Sequence, residues 1–418
     1  MLVVGGGPIG SAIARDIAKS GYRVIVLEED SEIGKPVRCS GIVSPKLVPL
    51  ANVSDEIVLN ELSCAYLYNT SGKKLLIGDN KVRAVAIDRE KLDKLLAEQA
   101  ISSGAEYIMN AKAVGVDHSE ENVSNIFNNT ENKIIKNSIK NNLIVNFLRN
   151  SKSEKVETKL VIGADGVNSN VSKWFGFEEP REIINALTFD TNSNIPNKNS
   201  VELLVSKEHI PGFFAWIVPI SNKKVRFGMG ISSNSNKSLK YCFNKLKQLN
   251  LNPFSYIFRN LDDNKISVGQ IPLGSIKKAY ANRVMIVGDA ACHVKPLTGG
   301  GLYYGLISAK RCAQVAVKAL KNQDFSENFL SKYQKLWVKD IGLEIEQGFI
   351  LREIFLYLND EEINELMDIF GKHELLNIVN RYGDIDYPWK LALKIITKKP
   401  KILIYLKKYI IDSKLKFK

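Results

Sequence analysis

The chain has 418 residues, and its 58 basic and 45 acidic side chains give a formal charge of +13. This length predicts two or three domains at about 100–200 residues per domain. The hydrophobic content of 45% supports a packed core and excludes a disordered chain. No run of about 18 apolar residues occurs, so we expect no membrane-spanning helix.

The first thirty residues predict a strand, a helix and a second strand. Leu2–Val4 is apolar, residues 9–19 have apolar side chains at helical spacing, and Val24–Leu27 is a continuous apolar run. A continuous run of this kind is typical of a strand that is buried on both faces. The chain enters this unit at once, without a basic segment followed by an apolar one, which predicts a cytoplasmic protein.

A glycine-rich turn lies between the first strand and the helix. Gly5, Gly7 and Gly10 match the GxGxxG pattern, in which the glycines allow a tight turn, a close approach to a pyrophosphate and close helix–strand packing. Glu28 ends the second strand, where a carboxylate can accept hydrogen bonds from a ribose. The turn predicts a dinucleotide site and leaves FAD and NAD both open.

The rest of the chain alternates between short buried strands, a sheet-like region and helices. Asp88 is a candidate N-cap for a helix over residues 88–103. The other predicted regions are an Asn- and Lys-rich surface hairpin or loop at 119–157, a buried strand at 160–163, an antiparallel sheet within 181–265, a buried strand at 284–287, and helices from 302 to the C-terminus.

Two further turns bear on the choice between FAD and NAD. Asp165 lies in the segment GADGVNS (163–169), and Asp289 lies in GDAA (288–291), which is followed by a triple glycine at 299–301. Both segments resemble the flavin-binding segments of the para-hydroxybenzoate-hydroxylase-like flavoprotein superfamily. The resemblance implies FAD as the cofactor. It also implies that N–H groups around Gly300, Gly301 and Leu302, which open a helix, stabilise negative charge on the flavin.

Two more segments resemble the geranylgeranyl reductase family, and archaeal digeranylgeranylglycerophospholipid reductases in particular. RCSG (38–41) is similar to the CxG segment of that family, and PGFFAWIVP (211–219) is similar to its PxxYxWxFP segment. Phe214 and Val218 depart from the pattern, which often has Tyr and Phe there. A catalytic hydroxyl at position 214 is therefore not carried over. The resemblance covers residues 2 to about 320.

The resemblance implies an α/β fold, α+β overall. A Rossmann-like FAD-binding domain of the para-hydroxybenzoate-hydroxylase type carries an antiparallel β-sheet substrate domain and a helical C-terminal part. The predicted division gives residues 1–60, 84–180 and 264–322 to the FAD-binding domain, 61–83 and 181–263 to the substrate domain, and 323–418 to the helical region.

The implied site residues follow from the same resemblance. The candidate catalytic residues are Cys39, Trp216 and Phe214. The candidate cofactor residues are Gly5, Gly7, Ile9, Gly10, Glu28, Cys39, Ser40, Ile42, Arg89, Ala113, Asp165, Asp289, Gly300, Gly301 and Leu302. Simpler interpretations stay open, since a free cysteine is commonly a small buried apolar residue, the aromatic residues fit a sheet core, and an arginine at a helix start can be solvated.

The implied function is FAD-dependent saturation of C=C bonds in the geranylgeranyl chains of archaeal membrane ether lipids. A hydride from N5 of reduced FAD and a proton would add across each double bond. The alternative is an FAD-dependent monooxygenase of the same superfamily that acts on an aromatic or apolar substrate. A nucleic-acid-binding protein and a flavoprotein-fold scaffold without catalysis are weaker alternatives, because no nucleic-acid-binding motif accompanies the basic charge.

The implied partners are a prenylated lipid and an external electron donor, which is ferredoxin, a reduced deazaflavin or NAD(P)H. Residues 398–418 contain eight lysines and one acidic residue among apolar side chains. This tail predicts either peripheral contact with an anionic membrane at its inner face or a packed terminal helix with a solvated lysine face. Five cysteines without a CxxC pair, and four histidines without metal-ligand spacing, predict neither disulfides nor a metal site.

Overall fold

The first of the two main sheets has six strands. The computed structural model describes residues 1–118, 142–193, 197–258 and 265–404. The strands lie in the order β18 (Tyr280–Ala281), β19 (Val284–Ile286), β12 (Val161–Gly163), β1 (Leu2–Val4), β2 (Ile25–Leu27) and β8 (Glu106–Ile108). All neighbours are parallel except β18 and β19. The short apolar runs at 2–4, 161–163 and 284–286 are buried, as expected of strands covered on both faces.

Helices cover this sheet. Helix α1 (Pro8–Lys19) connects β1 to β2 and packs against α3 (Arg89–Ser102) and α7 (Leu302–Asn322). The predicted N-cap of α3 is correct, because the Asp88 carboxylate accepts a hydrogen bond from the Lys91 N–H at 3.0 Å.

The second main sheet has seven strands, and residues of both sheets line one cavity. Its order is β17 (Ser267–Leu273), β13 (Glu182–Asn192), β16 (Lys224–Ser232), β15 (Ala215–Pro219), β14 (Ser200–Leu204), β5 (Cys64–Tyr68) and β6 (Lys74–Gly78). All pairs are antiparallel except β14 with β5. The predicted sheet within 181–265 is present, but it also contains β17, which the predicted division placed with the FAD-binding domain. The hydrogen bonds of β17 to β13 assign it to this sheet.

Two helices that the sequence analysis did not anticipate interrupt this region. Helix α5 (Leu239–Gln248) and the short α6 (Phe254–Ile257) pack on one face of the seven-stranded sheet. Ser238 caps α5 by accepting from the Tyr241 N–H at 3.2 Å. Cys242 and Leu246 are buried at helical spacing, a short pattern that the surrounding strand-like sequence obscured.

Two three-stranded sheets and two short helices complete the first 180 residues. One sheet has the order β3 (Ile42–Val43), β7 (Ala84–Ile87) and β4 (Val58–Leu62), and the other has β11 (Lys152–Thr158), β10 (Leu143–Arg149) and β9 (Ala111–His118). The short helices are α2 (Leu47–Ala51) and α4 (Asn170–Trp174). Part of the Asn-rich segment, residues 142–157, therefore lies in the β10–β11 hairpin, whereas residues 119–141 lie outside the described ranges.

The C-terminal region is helical, as predicted. Its helices are α8 (Glu327–Trp337), α9 (Leu343–Tyr357), α10 (Asp360–Phe370), α11 (His373–Tyr382) and α12 (Pro388–Lys398). Asn359 and Glu362 form a capping box at the start of α10. No helix among the described residues is both long and apolar enough to cross a membrane. The predicted α/β class with a second, largely antiparallel sheet and a helical C-terminal region is confirmed, while the domain boundaries stay a prediction.

Candidate functional site

One large cavity of about 1030 Å³ runs between the two main sheets. Residues that are far apart in the sequence line it, including Gly5 and Glu28 of the glycine-rich unit, Asp165, and Leu302 at the start of α7. Of the predicted cofactor residues, only Gly10 does not line the cavity, and Phe214 and Trp216 line it too. The structure therefore brings the predicted residues together at one site.

The glycine-rich turn is packed too tightly for side chains at two of its positions. Gly5 has a φ of +100°, and a Cβ there would lie 2.4 Å from the Ala164 carbonyl oxygen. A Cβ at Gly10 would lie 2.0 Å from the Gly5 carbonyl oxygen. Gly10 is thus a packing residue between β1 and α1, which explains why it is buried away from the cavity.

Gly7 differs from its neighbours, because it faces open space. No heavy atom lies within 4 Å of a Cβ built there, and Gly7 is the N-cap of α1 without a side-chain cap. No acidic side chain occupies the first turn of α1. The free N–H groups and the positive end of this helix therefore suit a phosphate in the cavity.

Glu28 joins the end of β2 to the glycine-rich turn. Its carboxylate accepts hydrogen bonds from the Gly6 N–H at 2.7 Å and from the Asp30 N–H at 2.9 Å. Burial raises the pKa of Glu28, and these two hydrogen bonds oppose that shift. The side chain is thus held at the cavity wall, and each oxygen keeps lone-pair capacity for a further donor such as a ribose hydroxyl.

The two predicted aspartates have different surroundings. Asp165 accepts hydrogen bonds from the Ser169 hydroxyl at 2.6 Å and from the Val171 N–H at 3.1 Å, so its carboxylate holds its own turn in place. Asp289 lies against Gly301, and burial raises its pKa to about 6 although Arg89 opposes the shift. Within the described part of the chain, its carboxylate accepts no side-chain or backbone hydrogen bond, which leaves it available to a ligand.

Arg89 lies beside Cys39 instead of in solvent. Its guanidinium donates to both oxygens of Asp93 at 2.9 and 3.2 Å. Burial disfavours the charged form, but Asp93 and Cys39 outweigh it and raise the pKa of Arg89. The ion pair with Asp93 fixes the guanidinium in the cavity wall, where it interacts with both Cys39 and Asp289.

A second glycine turn connects the cofactor side of the cavity to an aromatic cluster. Gly299 has a φ of +72°, and a Cβ there would lie 3.1 Å from the Phe213 ring. Helix α7 begins after this turn with no side-chain cap and no acidic residue in its first turn. Its free N–H groups face the cavity next to the aromatic side chains.

The aromatic cluster forms an apolar wall. The rings of Phe213 and Phe214 are stacked at 4.2 Å between centroids, and Trp216 meets Phe214 edge-on at 5.6 Å. Trp216 is paired across β15 and β16 with Gly228, where a Cβ would lie 2.2 Å from the indole. The indole can therefore lie flat on the sheet only because position 228 has no side chain.

Two ion pairs that the sequence analysis missed hold this site. Arg352 of α9 donates to both oxygens of Glu182 at 2.8 Å and to the Gly212 carbonyl oxygen at 2.5 Å, next to Phe213. Arg226 pairs with Asp190 and donates to the Ser40 carbonyl oxygen at 3.2 Å, next to Cys39. No local sequence pattern marks these contacts, because each joins segments more than a hundred residues apart or opposite positions on paired strands.

The C-terminal helices also contribute to the cavity. We call residues 373–398, which comprise α11, α12 and their connection, the C-terminal cover. Val379, Pro388 and Leu391 of the cover line the cavity. Lys295, which precedes the second glycine turn, also lines it and pairs with the buried Asp386 of the cover at 3.1 Å. The sequence analysis placed the whole site before residue 320 and missed this wall.

Comparisons with known proteins agree with this geometry. Residues 1–333 match the FAD binding domain family model. An uncharacterized protein of Methanocaldococcus jannaschii is 31% identical, with 95% of this chain and 94% of the relative covered. The digeranylgeranylglycerophospholipid reductases of M. jannaschii and Methanococcus vannielii are each 30% identical, with at least 97% of both chains covered.

The chain belongs to the geranylgeranyl reductase family of FAD-dependent oxidoreductases. A crystal structure of a geranylgeranyl bacteriochlorophyll reductase-like protein from Thermoplasma acidophilum has the same fold, with a TM-score of 0.80, 25% identity and 98% of each chain covered. A flavin-dependent halogenase at 16% identity and a TM-score of 0.65 shares the fold alone.

FAD is the cofactor of this family, and the cavity fits it. The open space at Gly7 next to an uncapped helix end suits the pyrophosphate, and the Glu28 carboxylate suits a ribose. The unpartnered carboxylate of Asp289 and the uncapped start of α7 line the same cavity and suit the flavin-bearing part of the dinucleotide. The apolar cluster that also lines the cavity leaves room for a substrate.

Proposed function

We propose that the protein saturates C=C bonds in the geranylgeranyl chains of an archaeal membrane ether lipid. The observation that carries this proposal is the continuity of one cavity from the dinucleotide-binding turns to the stacked rings of Phe213 and Phe214. An isoprenoid chain is long and apolar, and its binding buries surface of the kind that this wall offers. The names of the two archaeal reductases support the same substrate class.

The reaction adds a hydride to one alkene carbon and a proton to the other, so that the C=C bond becomes a single bond. Reduced FAD supplies the hydride when it is bound. Phe213, Phe214 and Trp216 exclude water and hold the alkene in place, and their π faces stabilise positive charge that develops on it. Phe214 has no hydroxyl, so a phenolic proton donor is absent at this position.

Cys39 and Arg89 are the polar groups that we assign to the flavin end of the site. The Cys39 thiol accepts from the Gly41 N–H at 3.4 Å and lies against the Arg89 guanidinium. We propose that Cys39 contacts the flavin ring and assists proton delivery. Arg89, fixed by its pair with Asp93, would position the Cys39 thiol beside the bound cofactor.

The test of this function is mass spectrometry of lipids after anaerobic incubation with chemically reduced protein. Digeranylgeranylglycerophospholipid should gain a pair of hydrogens for each bond saturated. C39A and W216A should both lose this conversion, whereas a matched Trp337→Phe control, at a tryptophan that does not line the cavity, should retain it. Oxygen-dependent consumption of NAD(P)H with hydroxylation of an aromatic compound would instead establish the monooxygenase alternative.

The partners beyond the lipid stay proposals. The reductant would be ferredoxin, a reduced deazaflavin or NAD(P)H, and anaerobic bleaching of the flavin absorbance by each would distinguish them. Most of the basic tail at 398–418, for which contact with the inner face of an anionic membrane and a packed terminal helix are both open, lies outside the described residues. Residues 398–404 give no contact that decides this proposal.

A further inference from the structure

We propose that the C-terminal cover is the surface through which the protein takes its lipid from an anionic bilayer, and that the Lys295–Asp386 ion pair holds the cover closed over the site. This inference rests on the proposed function, because it assumes a substrate that resides in a membrane. It assigns the bilayer contact to helices α11 and α12 instead of the terminal tail.

The inner side of the cover is a wall of the apolar end of the cavity. Val379 of α11 and Pro388 and Leu391 of α12 line the cavity together with Leu203 and Trp216 of the seven-stranded sheet. A movement of these two helices away from the sheet would therefore open the apolar end sideways. A long isoprenoid chain needs such an opening, because it must leave a bilayer and enter an apolar cavity without crossing water.

The cover is attached by little buried surface. Leu375 is the only buried residue of α11, and Ile395 is the only one of α12. Helix α7, by contrast, buries eleven residues. A helix with few buried contacts opens locally at a small fraction of the free energy of global unfolding. The cover is thus less tightly packed than α7, which supports it as the part of the cavity wall that opens.

Polar contacts at the connection between α11 and α12 hold the cover closed. Lys295 donates to the Asp386 carboxylate at 3.1 Å and to the Ile385 carbonyl oxygen at 3.2 Å, and the Tyr304 hydroxyl donates to the Asp386 carbonyl oxygen. Asp386 is fully buried, yet its Oδ2 has no hydrogen-bond partner within the described residues, and the Lys46 ammonium lies 3.9 Å away. A buried pair of this kind selects one arrangement while contributing little net stability.

This pair also connects the cover to the cofactor side. Lys295 lies against Gly300, since a Cβ there would lie 2.6 Å from the Lys295 side chain. Its backbone also bonds with Gly299 and Gly300 within the same turn. Closure of the cover and the position of the second glycine turn are therefore set by one side chain. Opening at Asp386 would leave a buried ammonium unpaired, which favours reclosure.

The outer side of the cover has the composition of a bilayer-binding surface. Tyr382 and Leu393 are 41% and 44% exposed, and Lys390 and Lys394 of α12 are exposed as well. Lys394 lies 3.7 Å from the centre of the Tyr382 ring. Apolar and aromatic side chains flanked by lysines suit the boundary between anionic headgroups and acyl chains.

The charge of this surface is positive because its acidic side chains are already paired. Glu374 pairs with Lys399 at 2.6 Å and Asp384 pairs with Lys46 at 2.6 Å, while Asp386 faces inward to Lys295. These are all the acidic residues of the cover. Arg381, Lys390 and Lys394 therefore have no acidic partner within the cover, and the carboxylate that acts on Lys390 belongs to Glu344 of α9. An anionic bilayer complements the positive charge that remains.

The first experiment measures binding of the full-length FAD-loaded protein to phosphatidylcholine vesicles with and without phosphatidylglycerol. K390E/K394E should weaken binding to the anionic vesicles at least about tenfold, since each basic residue near an anionic surface contributes about 1 kcal/mol. K152E/K155E on the exposed β11 strand makes the same charge change elsewhere and should have a much smaller effect. Equal losses for both variants, or binding that does not need phosphatidylglycerol, would overturn the proposal.

A third variant separates the cover from the tail. K414E/K416E changes two tail lysines, and it should leave most of the vesicle binding intact if the cover is the bilayer contact. Loss of binding only in this variant would assign the contact to the tail and refute our assignment. Vesicle binding without any saturation of the prenyl lipid would contradict the proposed function but not the proposed bilayer contact. Failure of the proposed function and failure of the bilayer contact are therefore distinguishable.

The second experiment tests the ion pair by hydrogen exchange. D386N should accelerate exchange of the backbone amides of residues 376–398, with unchanged exchange in α1 and an unchanged flavin absorbance spectrum. D386E, which restores the charge, should return exchange towards the wild-type rate, a result that a purely steric role would not give. Unchanged exchange in D386N, or equal acceleration in α1, would contradict a specific role in closure.

Discussion

The cofactor side of the cavity and the C-terminal cover are built in opposite ways. The cofactor side consists of parallel strands that are buried on both faces, and its turns leave no room for a Cβ at Gly5 or Gly10. Each helix of the cover buries one residue, and the cover is held by polar contacts around Asp386. Close packing fixes one geometry, whereas sparse packing leaves a low-cost opening.

This difference fits what each region must do. A dinucleotide that stays bound through many turnovers needs a site whose donors and acceptors are already in place. A membrane lipid must enter and leave in every turnover, so part of the wall of its binding site has to move. The comparison predicts that equal substitutions in the two regions have unequal effects.

The largest expected effect comes from a pair of Gly→Ala variants that tests the close packing claimed for the cofactor side. G10A should destabilise the protein by about 3 kcal/mol and yield little flavin-loaded material, because its Cβ has to displace the Gly5 carbonyl group. G115A in β9, where the nearest atom lies 3.9 Å from a Cβ, should fold and bind FAD normally. Thermal unfolding and flavin content measure both. A yellow, stable G10A would refute the packing role.

A matched pair of isoleucine variants compares the two regions directly. I13A in α1 should lower the free energy of unfolding by about 3 kcal/mol, since Ile13 is fully buried in the main core. I395A in α12 should lower it by only about 1 kcal/mol while it speeds hydrogen exchange in the cover, because that helix opens locally. Similar losses of global stability in both variants would contradict the description of the cover as weakly attached.

Glu28 tests the dinucleotide assignment. E28A removes a carboxylate that accepts from the Gly6 N–H and that we assign to a ribose of FAD. The dissociation constant of FAD should rise about 10- to 100-fold, in line with about 1.5–3 kcal/mol for hydrogen bonds to a charged group. Titration of the apoprotein with FAD, followed by flavin fluorescence, measures this. Unchanged affinity would remove Glu28 from the FAD site.

Asp289 gives a pH-dependent prediction. Burial raises the pKa of Asp289 to about 6, above the ordinary value of 3.8, so ionisation costs the folded apoprotein stability as pH rises from about 4 to 6. D289N should therefore stabilise the apoprotein by about 3 kcal/mol at pH 7, and this gain should vanish near pH 4. The same variant should bind FAD more weakly. A gain that does not depend on pH would contradict this assignment.

Much of the cofactor side could be predicted because its signals are local. The spacing of Gly5, Gly7 and Gly10 after an apolar strand predicts both the turn and its chemistry, and Asp88 before a helix predicts its cap. Such patterns reflect contacts between residues near in sequence. The order of strands in the seven-stranded sheet and the place of β17 depend on long-range pairing that no local pattern contains.

The cover and the ion pairs could not be predicted for the same reason. Lys295 and Asp386 are 91 residues apart, and each looks like an ordinary charged residue in its own segment. From the sequence alone, Gly228 is a residue that weakens a strand. Its pairing with Trp216 shows that the indole occupies the space that a side chain at position 228 would fill. The role of such residues comes from the partner that folding brings to them.

The most direct test of the account is the anaerobic reaction of the reduced protein with digeranylgeranylglycerophospholipid, followed by flavin absorbance and lipid mass together. We predict that the oxidised flavin spectrum returns without oxygen while the lipid gains hydrogens in equal amount. A flavin that stays reduced until oxygen is admitted, with the lipid unchanged, would contradict the claim that FAD and an isoprenoid chain meet in this cavity.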